Sequence, residues 1–158
     1  MKTTPLLFLL GLLAAACGGE DASTPAGEDP EEHACEQASE TGTALVAAED
    51  TASAPALALA ETPYTVTLPS GKPGYLKLQG PSNALLFFGT ANVATGLSFG
   101  SDATELLPEG APNEHCPNAI PEHFDLGLDQ SGDYFLRLGP SALPSVWLML
   151  TEVEGHAH

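Results

Sequence analysis

Basic residues are almost absent from this chain. Lysine and arginine total 4 against 21 aspartates and glutamates, giving a formal net charge of −17 at pH 7. So acidic a surface repels nucleic-acid phosphates and anionic lipid, and it attracts cations. Long apolar runs are scarce as well. The one from Leu6 to Ala16 falls well short of the about 20 residues that a membrane-spanning helix needs. No stretch repeats apolar residues at helical spacing, which argues against a helix bundle. Neither a paired-carboxylate pattern nor a phosphate-binding glycine loop stands out. Cysteine is rare, with 3 in the chain, and each of them therefore carries weight.

What is present begins with an address. Lys2 precedes the apolar run, and small residues follow it, the pattern of a secretory signal. Leu13-Ala14-Ala15-Ala16-Cys17-Gly18 resembles the lipobox of bacterial lipoproteins. The resemblance implies cleavage before Cys17, diacylglycerol on its thiol and an acyl group such as palmitate on the new amino terminus. Ala14 stands where that family more often has leucine. Gly18, in place of aspartate, implies sorting to the outer membrane rather than retention in the inner one. Two or three acyl chains, at about 0.8 kcal/mol per buried methylene, make a stable anchor. The expected organisation is a signal peptide over 1–16, a lipidated Cys17 with a flexible acidic tether over 17–32, and a folded domain over 33–158. The tether contains no large apolar residue and is rich in Gly, Pro, Glu and Asp.

With Cys17 lipidated, Cys35 and Cys116 remain. An even pair in an oxidising compartment argues for a disulfide. The alternative is that the two serve a metal as thiolates.

Within the domain, short strands alternate with turn residues. Ala44–Ala48 is a first candidate strand. Tyr64-Thr65-Val66-Thr67-Leu68 alternates, with Tyr64, Val66 and Leu68 inward. Tyr75–Gln79 alternates again, and Gly80-Pro81-Ser82-Asn83 is expected to break it. Ala84–Phe88 is apolar throughout, as in a strand buried on both faces. Four prolines between Pro108 and Pro121 predict a long loop carrying His115 and Cys116. Phe124, Leu126 and Leu128 point one way, with His123 and Asp125 on a polar face. Gln130-Ser131-Gly132-Asp133 is expected to turn the chain into Tyr134–Leu138, and Val146–Val153 makes the last strand. The fold class that follows is all-β, an antiparallel, jelly-roll-like β-sandwich. Its closing half, Phe124–Leu128, Ser131–Leu138 and a final strand, resembles the bacterial pre-peptidase C-terminal type of β-sandwich. That resemblance implies an accessory module without catalysis; the aspartates that bind calcium in that family are not evident here.

Two constellations carry possible chemistry. Gly96-Leu97-Ser98-Phe99-Gly100 matches the Gly-x-Ser-x-Gly nucleophile elbow, but the elbow needs a helix after its strand. Turn residues and Pro108 follow instead, so Ser98 reads as a strand residue facing solvent, and no enzyme is expected. The second is a histidine–cysteine set. His33 and Cys35 lie two apart, as do His156 and His158, and such residues share a face in extended chain. If Ala44–Ala48 pairs with Leu148–Glu152, the two ends of the chain meet. His33, His115, His156 and His158 would then converge, with Glu36, Glu114, Cys35 or Cys116 in support, on zinc or copper(II). The leading expectation is thus an envelope lipoprotein that binds a transition metal as chaperone, buffer or sensor. The competing one is a non-catalytic envelope module that contacts protein or carbohydrate, with a structural disulfide and no metal. Neither has a use for nucleic acid.

Overall fold

The computed structural model describes residues 29–89, 93–100, 104–106 and 108–153. They form one helix, α1 (Pro30–Gln37), and seven strands: β1 (Thr43–Val46), β2 (Ala60–Thr67), β3 (Gly74–Phe88), β4 (Thr95–Phe99), β5 (Gly110–Pro112), β6 (Glu122–Leu138) and β7 (Ser145–Glu152). The fold is all-β and sandwich-like. The strands join in the order β1-β2-β7-β3-β6-β4, with β5 on the outer side of β6.

The helix begins inside the stretch that sequence patterning assigns to the tether. Asp29 caps it, its carboxylate accepting from the Glu31 amide at 2.9 Å, and Pro30 opens the first turn with Glu31 and Glu32. An acceptor cap, an early proline and acids at the positive end of the helix dipole are all helix-starting chemistry. In a sequence of glutamates and small residues the same letters also read as disorder. Eight residues are two turns, too few to display a period, and Ala34 alone is buried.

β3 and β6 are the frame. They run antiparallel from Gly74↔Leu138 to Phe88↔Glu122, with one register shift between Gly80 and Ser82. Sequence patterning places chain breaks at Gly80–Asn83 and Gln130–Asp133, but both strands continue through. The turn residues make a bend instead. Gly80 lies so close to the facing strand that a Cβ would stand 2.4 Å from the Gln130 carbonyl oxygen, and Gly132 adopts φ 143°. Only glycine suits such positions.

Even-numbered residues on both halves of the bent strands face one core. Leu76, Leu78, Ala84, Leu86 and Phe88 of β3 meet Phe124, Leu126, Leu128, Tyr134, Leu136 and Leu138 of β6. Val66 of β2 and Val146, Leu148 and Leu150 of β7 complete it. The sheet therefore curls around its own even face. The odd face of β3 and β7 is covered separately: Phe87 and Met149 pack with Ala34 of α1 and Ile120. This second cover is why Ala84–Phe88 is apolar without alternation.

The first strand does not pair with the last. β1 runs parallel to β2, Thr43↔Tyr64 to Val46↔Thr67, and β2 lies between β1 and β7. A parallel neighbour requires a crossover of a dozen or more residues, and the link from Ala47 to Leu59 supplies it. On the way it forms bridges at Ala48↔Tyr75 and Ala56↔Lys77, along the free edge of β3. Beyond these differences, the loop after Pro108 holds one short element, β5, whose Ala111 faces His123.

Candidate functional site

Among the described residues, the histidines and cysteines gather where α1 crosses the odd face. Cys35 and Cys116 form a disulfide with Cα atoms 5.8 Å apart, across a sequence separation of 81. It ties α1 to the proline-rich loop. As disulfide sulfurs neither residue is a thiolate, so the reading in which Cys35 and Cys116 ligate a metal does not hold for this state.

Asn113 shapes the loop at that point. It is buried, and its side-chain oxygen accepts from the amides of His115 and Cys116, each at 2.9 Å. Such an Asx arrangement fixes the chain into the disulfide. Two histidine–carboxylate pairs follow from it. His115 Nε2 stands 3.6 Å from Asp29 Oδ2, and His123 Nδ1 stands 3.7 Å from Glu31 Oε1. The other oxygen of Glu31 accepts from the Glu114 amide at 3.3 Å. The cap and first turn of α1 thus face the loop and the start of β6. His123 is not on a polar face. It is 8% exposed, under the helix, with its ring centroid 5.7 Å from that of Phe87.

Of the four histidines expected to converge, His33 directs Nε2 to the Glu61 carbonyl oxygen on β2, at 3.4 Å. His115 turns to Asp29 instead. Glu36 is exposed, on the helix. His156 and His158 lie outside the described residues, as does Cys17. Among the described residues no three His, Cys, Asp or Glu side chains gather as a metal ion requires. The disulfide does bring the segments of His33 and His115 together. The strand pairing expected to bring the C-terminus to them is replaced by another, because β7 pairs with β2, Leu150 beside Ala60, next to the residue His33 touches. Sequence reasoning missed Asp29 and Asn113, and read Glu31 only as part of the acidic surroundings of the histidines. The available signal was the Asp29-Pro30-Glu31-Glu32 helix start; nothing local marks Asn113.

The serine motif occupies β4, at the side of β6. Its Gly96 serves packing: a Cβ there would fall 2.1 Å from the Glu105 carboxyl carbon. That carboxylate receives Arg137 in two contacts, Nε at 2.5 Å and Nη2 at 2.8 Å. The hydrogen bond from Arg137 holds the Glu105 carboxyl below the usual glutamate range, against partial burial, and the same bond raises Arg137.

The other cations are paired too. Lys72 meets Glu49 at 2.5 Å and Lys77 meets Asp133 at 3.7 Å. Every lysine and arginine among the described residues is thus matched to a carboxylate of this chain, while most of its acids are not. No described helix is long and apolar enough to cross a membrane. No known protein family matches the chain, and no curated protein does either.

Proposed function

We propose that this chain is an exported lipoprotein, held at the cell envelope through Cys17, whose β-domain is a non-catalytic contact module for a positively charged protein partner. One observation carries the reading. The three described cations are consumed by internal ion pairs, so the surplus carboxylates of a −17 chain are what a partner meets. Field of one sign speeds and orients encounter with the opposite sign, and it weakens as salt rises. The disulfide supports the address, because such bonds persist in oxidising compartments.

Carbodiimide crosslinking in intact cells, which joins a carboxylate of this chain to an amine of a partner, tests it. The expected result is adducts with lysine-rich segments of other envelope proteins, fading as the ionic strength of the medium increases. Absence of adducts, or adducts indifferent to salt, overturns the reading.

A second reading keeps the metal. His33 lies at the sheet end where β7 finishes, so the chain that continues to His156 and His158 departs from close to it. A zinc or copper(II) site there would draw on His33 and the terminal pair, with His115 and Glu36 or Glu114 nearby. Calorimetry with zinc alone, on the full chain and on a chain ending at Glu154, distinguishes the two readings. Equal heats from both chains refute the metal site.

A further inference from the structure

We infer that β1 is a docking edge, and that its occupant is an extended segment of a partner protein with uncharged residues at its centre and lysine or arginine around them. The inference rests on the contact-module reading and names the surface that would serve it.

Start from the backbone. In the parallel ladder, Ala47 donates to the Thr67 carbonyl oxygen at 3.0 Å, with Val46 opposite Thr67 and Ala44 opposite Thr65. That phase directs the N–H and C=O groups of Thr43, Leu45 and Ala47 to β2. Those of Ala44 and Val46 point away from it. A strand edge with free groups is a template for another strand.

Other edges are taken in part by this chain's own backbone. Leu97 of β4 exchanges two backbone bonds with Leu106, at 2.8 and 2.7 Å. The free side of β3 is taken by Ala48, Pro55 and Leu57, whose backbones bond Tyr75 and Lys77. β5 is three residues long and ends in Pro112, which has no N–H to offer. β1 is short, at four residues, but it has no proline, no lysine and no charge of any kind in Thr43-Ala44-Leu45-Val46. Val46 is 68% exposed, the most exposed of the large apolar side chains among the described residues.

Charge selects the occupant. Exposed carboxylates outside the internal ion pairs flank the strand in sequence, Glu40 before it and Asp50 after it, while Glu49 is matched to Lys72. A second copy would bring another −17 to the same edge, with its own acids beside these. A basic segment meets the opposite sign. Its backbone would bond Ala44 and Val46 while its uncharged side chains lie along Val46.

Peptide titration of the full-length protein in neutral detergent micelles tests this. The probe is a nine-residue peptide with a valine and threonine centre flanked by lysines, read by fluorescence anisotropy; the control replaces each lysine by glutamate. Val46→Pro removes an outward N–H and leaves the ladder to β2 intact, the position where an edge strand tolerates proline. Val46→Lys leaves the backbone alone and adds a repelling charge. The lysine peptide should bind the natural protein and the glutamate peptide should not, and each variant should weaken binding at least tenfold with an unchanged disulfide and circular dichroism. Binding that survives both variants overturns the edge while leaving the contact-module reading in place. Failure of the lysine peptide to bind at all also overturns it, and the crosslinking experiment then decides the module reading by itself. Concentration-dependent dimers abolished by Val46→Pro would assign the edge to a second copy and refute the proposal.

Discussion

Glu105 and Arg137 show how single side chains distribute roles in this molecule. The pair closes the side of β4, and Gly96 leaves the room for it. An ion pair this near the surface contributes about 1 kcal/mol or less. Its sign with pH is fixed by the lowered Glu105 carboxyl. The contribution is complete above the pKa of the unfolded chain and is lost as pH falls through the lower folded value. Urea unfolding should therefore find Glu105→Gln less stable than the natural protein at neutral pH. The two should converge once the solution is more acidic than the folded pKa of Glu105. Gly96→Ala should reproduce the neutral-pH loss by displacing the carboxylate. The disulfide is the larger single-residue term. Closing a separation of 81 residues is worth about 4–5 kcal/mol in the chain-entropy account. Cys35→Ser should move the urea midpoint down accordingly, with the slope changed if the opened chain unfolds α1 separately.

At the scale of elements, the strands that alternate or run fully apolar were legible: β2, both halves of β3, both halves of β6, and β7. Their periods are set by burial, and burial is written in residue type. Two things were not legible. Gly80-Pro81-Ser82-Asn83 and Gln130-Ser131-Gly132-Asp133 have the composition of turns, and the same composition builds a bend that keeps two long strands paired. Which one results depends on the facing strand, because each segment lies opposite the other. The parallel pairing of β1 was hidden for a similar reason, since four residues specify no direction. Helix α1 gives the sharpest element-level prediction. It covers the odd face, so Phe87 and Phe88 are both fully buried although they point to opposite sides. Phe87→Ala and Phe88→Ala should each cost about 3–5 kcal/mol in chemical unfolding. In a sheet open on its odd face, Phe87→Ala would cost far less.

Across the whole molecule, an acidic, disulfide-clamped β-domain sits behind a segment with the features of a lipoprotein signal. The disulfide partners were legible because cysteine is scarce and the remaining pair is even. The histidine set was legible as residues but not as geometry. His33 and His115 do share a region through Cys35–Cys116, yet one turns to a backbone carbonyl on β2 and the other to Asp29. His123, spaced as a strand residue, became part of the packing beneath α1. Such outcomes depend on a helix whose own letters resemble a disordered tail. A contact module on the envelope has to arrive there and be held, so its function depends first on the lipid at Cys17. Intact mass spectrometry of the protein purified from membranes tests this most directly. The expected product is a chain that begins at Cys17, carries diacylglyceryl and a further acyl group, and takes up two alkyl labels only after reduction. A chain that retains residues 1–16 without lipid, or one whose Cys35 and Cys116 are labelled without reductant, would contradict it.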